Sequence, residues 1–240
     1  MDHDLTIAWL YGREMNIYGD RGNVAALEQR SRWRGITVTT VLSGLGDPMP
    51  DADLYFWGGG QDQEQVNVAH DLQGTKGDAL RAAVEDGAAL LAVCGGYQLL
   101  GHGYHPHDGE VLPGISLFDA TTVAGPERFI GNIVIDSPIG ELVGFENHSG
   151  LTTLGPGCQP LGRVRAGRGN NGRDGTEGAM YRNAIGCYMH GSLLPKNPVL
   201  ADWLIERALN RRHGSVTLPP LDDTFEIAAH QNAVGRALHG

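Results

Sequence analysis

The stretch LLAVCGGYQLL at residues 90–100 runs an apolar strand into a turn of small residues and out into a second apolar segment of helical character. The apolar run begins at Ala88 and is nearly continuous to Val93. A strand apolar on both faces belongs inside a parallel sheet with helices packed on either side. Gly95 and Gly96 permit the sharp strand-to-helix turn, and Cys94 stands at its apex. This is the layout of a nucleophile elbow. A cysteine at a helix N-terminus has its thiolate favoured by the helix dipole and by unpaired N–H groups. The Gly95 N–H points where an oxyanion would form. A free cysteine is more often a small buried hydrophobe, and Cys158 and Cys187, which lack this setting, read as structural.

Outward from the elbow, apolar runs alternate with helical patterns. Strands are predicted at residues 5–11, 36–42 and 53–57, with helices at 17–34, through Ala25, Leu27 and Trp33, and at 78–85. The alternation predicts an α/β fold of three layers, a largely parallel central sheet with helices on both faces. After Gly103 the pattern changes. Short strands at 115–123, 131–136, 142–146 and 161–165 follow one another without obvious helices and predict an antiparallel or mixed extension. Residues 167–178, rich in Gly, Asn and Asp, read as a mobile loop. A strand at 184–189, a helix at 197–211, a break at 217–220 and a weak helix at 222–238 complete the chain. Neither repeat nor linker interrupts residues 1–240, so a single domain is expected.

With a net charge of −10 and two lysines, Lys76 and Lys196, the chain offers no basic run, which counts against nucleic-acid binding. No apolar run is long enough to cross a bilayer, the N-terminus lacks the features of a signal peptide, and three cysteines do not make a disulfide framework. A cytoplasmic protein is expected.

A cysteine nucleophile needs a base. Of ten histidines, His190 ends a strand and is followed by Gly191, at a sheet edge; His148 is the runner-up. His102, His105 and His107 share a polar loop with no acidic or cysteine cluster to make a metal site, and none is expected. Gly58-Gly59-Gly60 ends another strand at the edge where open α/β sheets place their sites. There the N–H of Gly59 or Gly60 supplies a candidate second oxyanion donor.

The motifs CGGYQLLG at 94–101, GGGQDQEQ at 58–65 and YMHGSLLPKNP at 188–198 together resemble class I glutamine amidotransferases of the cobyric acid synthase type. YGDRGN at 18–23, PERFIGN at 126–132, FENHSG at 145–150 and GNNGRDGTEG at 169–178 extend the resemblance, in order, to the branch that serves lipid II amidation. The resemblance implies a flavodoxin-like amidotransferase fold. It implies Cys94 as nucleophile, forming a glutamyl thioester, and His190 as base. Arg128 would bind substrate glutamine, a role that suits a guanidinium facing an α-carboxylate. Gly59, Gly60, Gly95 and Gln98 would complete the substrate site. Many class I glutaminases carry a carboxylate two residues after the histidine. Here that position is Ser192, as in the branch resembled, so what orients His190 is left to another carboxylate of this chain or of a partner.

The chain has neither a phosphate-binding P-loop nor a dinucleotide fingerprint in the right context, and no cofactor is expected. Amide synthesis needs ATP, so ammonia must pass to another polypeptide. By resemblance that is a MurT-like Mur ligase subunit amidating the D-glutamate α-carboxylate of lipid II. A glutaminase serving a cobyrinic or cobyric acid synthase, a catalytically dead scaffold and a hydrolase of another small amide are the alternatives. YGDRGN reads as a contact or a helix cap, and the cap is favoured because Asp and Asn suit that role.

Overall fold

The computed structural model describes residues 3–16, 19–60, 62–190 and 193–239. Thirteen strands form two sheets among them. They are β1 (Asp4–Leu10), β2 (Thr37–Ser43), β3 (Leu54–Trp57), β4 (Ala89–Val93), β5 (Gly103–His105), β6 (Leu112–Pro113), β7 (Ala120–Ser137), β8 (Gly140–Leu154), β9 (Gly162–Ala166), β10 (Thr176–Glu177), β11 (Ala179–Tyr181), β12 (Ala184–Cys187) and β13 (Met189–His190). The helices are α1 (Arg21–Trp33), α2 (Asp62–Asp71), α3 (Thr75–Glu85), α4 (Gly95–Leu100), α5 (Leu193–Lys196), α6 (Pro198–His213) and α7 (Thr224–His239).

The first sheet has the order β11-β12-β4-β3-β1-β2 and is parallel throughout except for its β11 edge. Its central strands β3 and β4 are buried at every position, as apolar runs with no polar face require. Residues alternate between two cores. Leu10, Tyr55, Trp57, Leu90 and Ala92 pack on one side with Val68 of α2, Leu72 just after it, Leu80 and Val84 of α3 and Leu99 of α4. Ile7, Phe56, Leu91 and Val93 pack on the other with Val24 and Leu27 of α1 and Leu200, Leu204 and Ile205 of α6. Each such side chain contributes about 1.5–3 kcal/mol by leaving water. The expected three layers are present.

The expected antiparallel or mixed part is a sheet of its own, mostly antiparallel but with β5 parallel to β7, and not a widening of the first. Its backbone is the β7–β8 hairpin, in register from Ala120↔Leu154 to Ser137↔Gly140 with one irregularity between Ala124 and Phe129. Pro126 lies in that gap; without an N–H it cannot continue a ladder. Ile133, Ile135 and Leu142 join the second core, so the two sheets share apolar packing. α7 covers the far face at Val134, Val143 and Val234.

Four local expectations differ from what is found. On α1 the buried residues are Asn23, Val24, Leu27, Arg30 and Ser31, whereas Ala25 is exposed and Trp33 is 55% exposed. The inward face tolerates charge because Arg30 pairs there with Asp202 and Asp223. The helix α2 was not expected, since its run DQEQVNVAHD offers few apolar positions. The predicted strand at 115–123 begins only at Ala120. Residues 167–178 form a tightly bonded loop: buried Asn170 exchanges hydrogen bonds with Gly178, and Asn171 accepts from the N–H groups of Arg173 and Asp174.

Candidate active site

Cys94 follows β4 directly, with φ 53° and ψ −109°, a strained backbone of the kind a tight strand-to-helix turn imposes. Its N–H donates to the Cys187 carbonyl at 2.8 Å, and its own carbonyl accepts the Gln98 N–H at 2.9 Å. The small residues after it are required by packing. A Cβ on Gly95 would lie 2.8 Å from Met15 Cε, and one on Gly96 2.9 Å from Trp57 Cγ. Cys94 is partly exposed while Cys158 and Cys187 are buried. Burial pushes the Cys158 thiol up to about 11 and that of Cys187 well above the usual range, which leaves both unreactive.

His190 comes from the other sheet. The chain leaves the parallel sheet at Cys187, paired with Val93, and enters the second at Met189 and His190, paired with Glu146 and Phe145. Tyr188 is the single residue between. A Cβ on Gly59 would stand 3.2 Å from His190 Cε1 and 3.3 Å from Cys94 Cβ, so the two side chains meet across one glycine. Burial pushes the His190 pKa down to about 3, with His148 and Arg128 acting in the same direction. The imidazole is therefore neutral at neutral pH, ready to accept a proton but poorly able to keep it without a nearby negative charge.

His148, the runner-up, is part of the wall. Its ring stacks on Tyr188 at 3.6 Å and 4° and meets Phe129 edge-on. Nδ1 lies 2.8 Å from the Gly150 carbonyl, which makes it the protonated nitrogen. Burial pushes its pKa down to about 4.

The glycine loop departs from expectation in one respect. The Gly59 N–H donates to Asp20 Oδ2 at 2.8 Å, so it is turned away from the elbow. The Gly60 nitrogen lies 3.5 Å from the Cβ position of Gly95 and is the amide beside the nucleophile. Gln98, expected among the substrate contacts, is committed to protein instead. Its Oε1 accepts from Gln65 at 2.8 Å and its Nε2 donates to the Tyr188 hydroxyl at 3.2 Å. That hydroxyl also bonds Thr152, and the chain of contacts fixes the residue that joins the two sheets. Arg128 is exposed beside the irregularity in β7, where it donates to the Asn147 side-chain and main-chain oxygens at 3.1 and 3.2 Å. It lines an open cavity of about 380 Å³ with Phe129, Glu146 and Arg168.

Sequence reasoning missed two buried carboxyls behind the site. Glu146 accepts the N–H groups of Arg168 and Gly169. Glu177 accepts the Tyr188 N–H at 2.6 Å, and burial pushes its pKa up to about 8. Both lie in segments singled out by motif, yet nothing in those motifs distinguishes a buried carboxyl from a loop one. Gly191 and Ser192 lie outside the described residues. Among the described residues no group of three metal-ligating side chains is found and no helix is long and apolar enough to cross a membrane.

Residues 6–198 match the family model of the CobB/CobQ-like glutamine amidotransferase domain. The chain belongs to that family. This amidotransferase is 40% identical over 238 residues to the protein named lipid II isoglutaminyl synthase (glutamine-hydrolyzing) subunit GatD of Staphylococcus aureus, covering 98% of this chain and 97% of that one. To the Streptococcus pneumoniae protein of the same name it is 38% identical, over 97% of this chain and 92% of the other. Among solved structures, that of PurLQS from Thermotoga maritima superimposes with a TM-score of 0.58 at 14% identity, over 88% of this chain and 99% of that one. At that identity the likeness speaks for the fold.

Proposed function

We propose that this amidotransferase is the glutaminase subunit of a lipid II isoglutaminyl synthase. The observation that carries the reading is Cys94 facing His190 across Gly59. The imidazole takes the thiol proton, the thiolate attacks the side-chain amide carbon of L-glutamine, and the amides of Gly60 and Gly95 hold the oxyanion. The imidazolium gives its proton to the amide nitrogen, and collapse of the tetrahedral intermediate expels ammonia. Water activated by His190 then releases glutamate from the Cys94 thioester. Arg128, steadied by Asn147 at the open rim, holds the α-carboxylate.

Two features bear on the rest of the enzyme. His148 and Arg128 act in the same direction as burial in holding the His190 pKa down. The position two residues after His190 is Ser192, so another carboxylate of this chain, or one supplied by a partner, would orient the imidazole and complete the triad. The two relatives at about 40% identity favour a MurT-like Mur ligase as that partner. It would activate the D-glutamate α-carboxylate of lipid II with ATP and receive the ammonia, at the cytoplasmic face of the membrane.

Glutamate release by the chain alone and with a co-purified Mur-ligase-like subunit tests this, followed by glutamine-dependent amidation of lipid II. Turnover should rise on partner binding, and Cys94 should be labelled by a glutamine-analogue electrophile. Equal turnover with and without the partner refutes the completed-triad idea. Failure to label Cys94 refutes the glutaminase.

A further inference from the structure

The motif YGDRGN was expected to cap a helix, yet Asp20, at the N-cap of α1, makes no side-chain cap hydrogen bond. The Arg21 N–H is met instead by Asn16 Oδ1 at 3.1 Å. Asp20 is wholly buried, and its carboxylate spends itself on the Gly59 N–H at 2.8 Å. Gly58 makes room for this: a Cβ there would stand 2.5 Å from Asp20 Oδ2. One turn on, buried Asn23 accepts the Leu194 N–H at 2.9 Å through Oδ1, four residues past His190. The start of α1 therefore grips both the glycine loop and the segment that follows the base.

Burying a carboxyl is costly, and a helix cap does not require it. The Gly59 N–H is held by Asp20, and it is the next amide, that of Gly60, whose nitrogen lies at the elbow, 3.5 Å from the Cβ position of Gly95. We propose that Asp20 is a positioning residue of the glutaminase reaction, holding the Gly59 amide so that the Gly60 amide is aimed at the oxyanion formed at Cys94. The inference rests on the glutaminase reading above. It separates Asp20 from the catalytic pair, since Asp20 acts only through the loop. Burial pushes its pKa up to about 7; hydrogen-bond acceptance, not charge, is what the role requires.

The test is steady-state glutamine hydrolysis by Asp20→Ala, Asp20→Ser and Asp20→Asn, each in complex with the partner subunit. Deleting an oxyanion donor costs about 10²–10³ in kcat, so misaiming one should lower kcat at least about tenfold, with KM for glutamine within about threefold. Serine keeps a hydroxyl at the helix start but is too short to reach Gly59, so it should match alanine in kcat. Asparagine retains an acceptor and should restore most of the rate. Alkylation of Cys94 by iodoacetamide, which passes through no oxyanion, should proceed at the wild-type rate in all three. Wild-type kcat in the serine variant overturns the inference, as does a fall in kcat matched by lost alkylation. A wild-type complex that does not hydrolyse glutamine overturns the glutaminase reading, and this inference with it.

Discussion

The two sheets contribute to the site in different ways. The parallel sheet presents Cys94 and the glycine loop from strand ends buried at every position, where little can move. The antiparallel sheet presents His190 from a two-residue strand and Arg128 from a break in its longest hairpin, with Ile130 64% and Phe145 36% exposed nearby. One sheet holds Cys94 rigidly; the other carries His190 and, on an exposed rim, Arg128. Under the proposed function this division would place the nucleophile on a fixed frame and the base and substrate clamp where a partner subunit could reach them.

The division is broken most completely at the catalytic pair. Cys94→Ala should abolish glutamate release, and His190→Asn should lower kcat by about 10³-fold or more, since members of such a unit fail together. If His190→Asn retained more than a tenth of the rate, the second sheet would not carry the base. Cavity formation comes next. Leu91→Ala in the parallel sheet should cost about 2–5 kcal/mol by chemical denaturation, whereas Ile130→Ala on the rim should stay within about 0.5 kcal/mol. Comparable losses would erase the distinction between buried strand and open rim. Arg128→Ala should raise KM for glutamine about tenfold or more with a smaller change in kcat, because a clamp on the α-carboxylate holds substrate and transition state alike.

A separate effect is in the response to acid. His190 and His148 have folded pKa values of about 3 and 4, below the ordinary value of 6.5. Between those limits the unfolded chain binds more protons, so their contribution is complete above about 6.5 and is lost as pH falls toward 4. Thermal denaturation between pH 7 and 4 should show a steeper fall for wild type than for His148→Asn. Parallel curves would mean that His148 is not held neutral by its burial.

The parallel sheet was legible in the sequence because full burial demands unbroken apolar runs, and 89–93 and 54–57 supply them. Cys94 was legible because a buried strand running through a cysteine into two glycines leaves the backbone only a sharp corner to make. The polar interior of α1 was not legible. Asn23 and Arg30 look solvent-facing until Leu194, Asp202 and Asp223 are brought to them from more than 170 residues away. For the same reason Asp20 read as a cap, since Gly59 lies 39 residues along the chain. The hydrogen bonds of Gln98 were not legible either, because its partners Gln65 and Tyr188 are remote in sequence.

Tyr188 is the whole of the passage between the sheet that ends at Cys187 and the one that begins at Met189. Sulfur and imidazole therefore belong to separate layers joined by a one-residue bridge. Any shear between those layers is converted directly into a change in the gap a proton must cross. Under the proposed function, a subunit pressing on the open rim would change the hydrolytic rate without touching either Cys94 or His190.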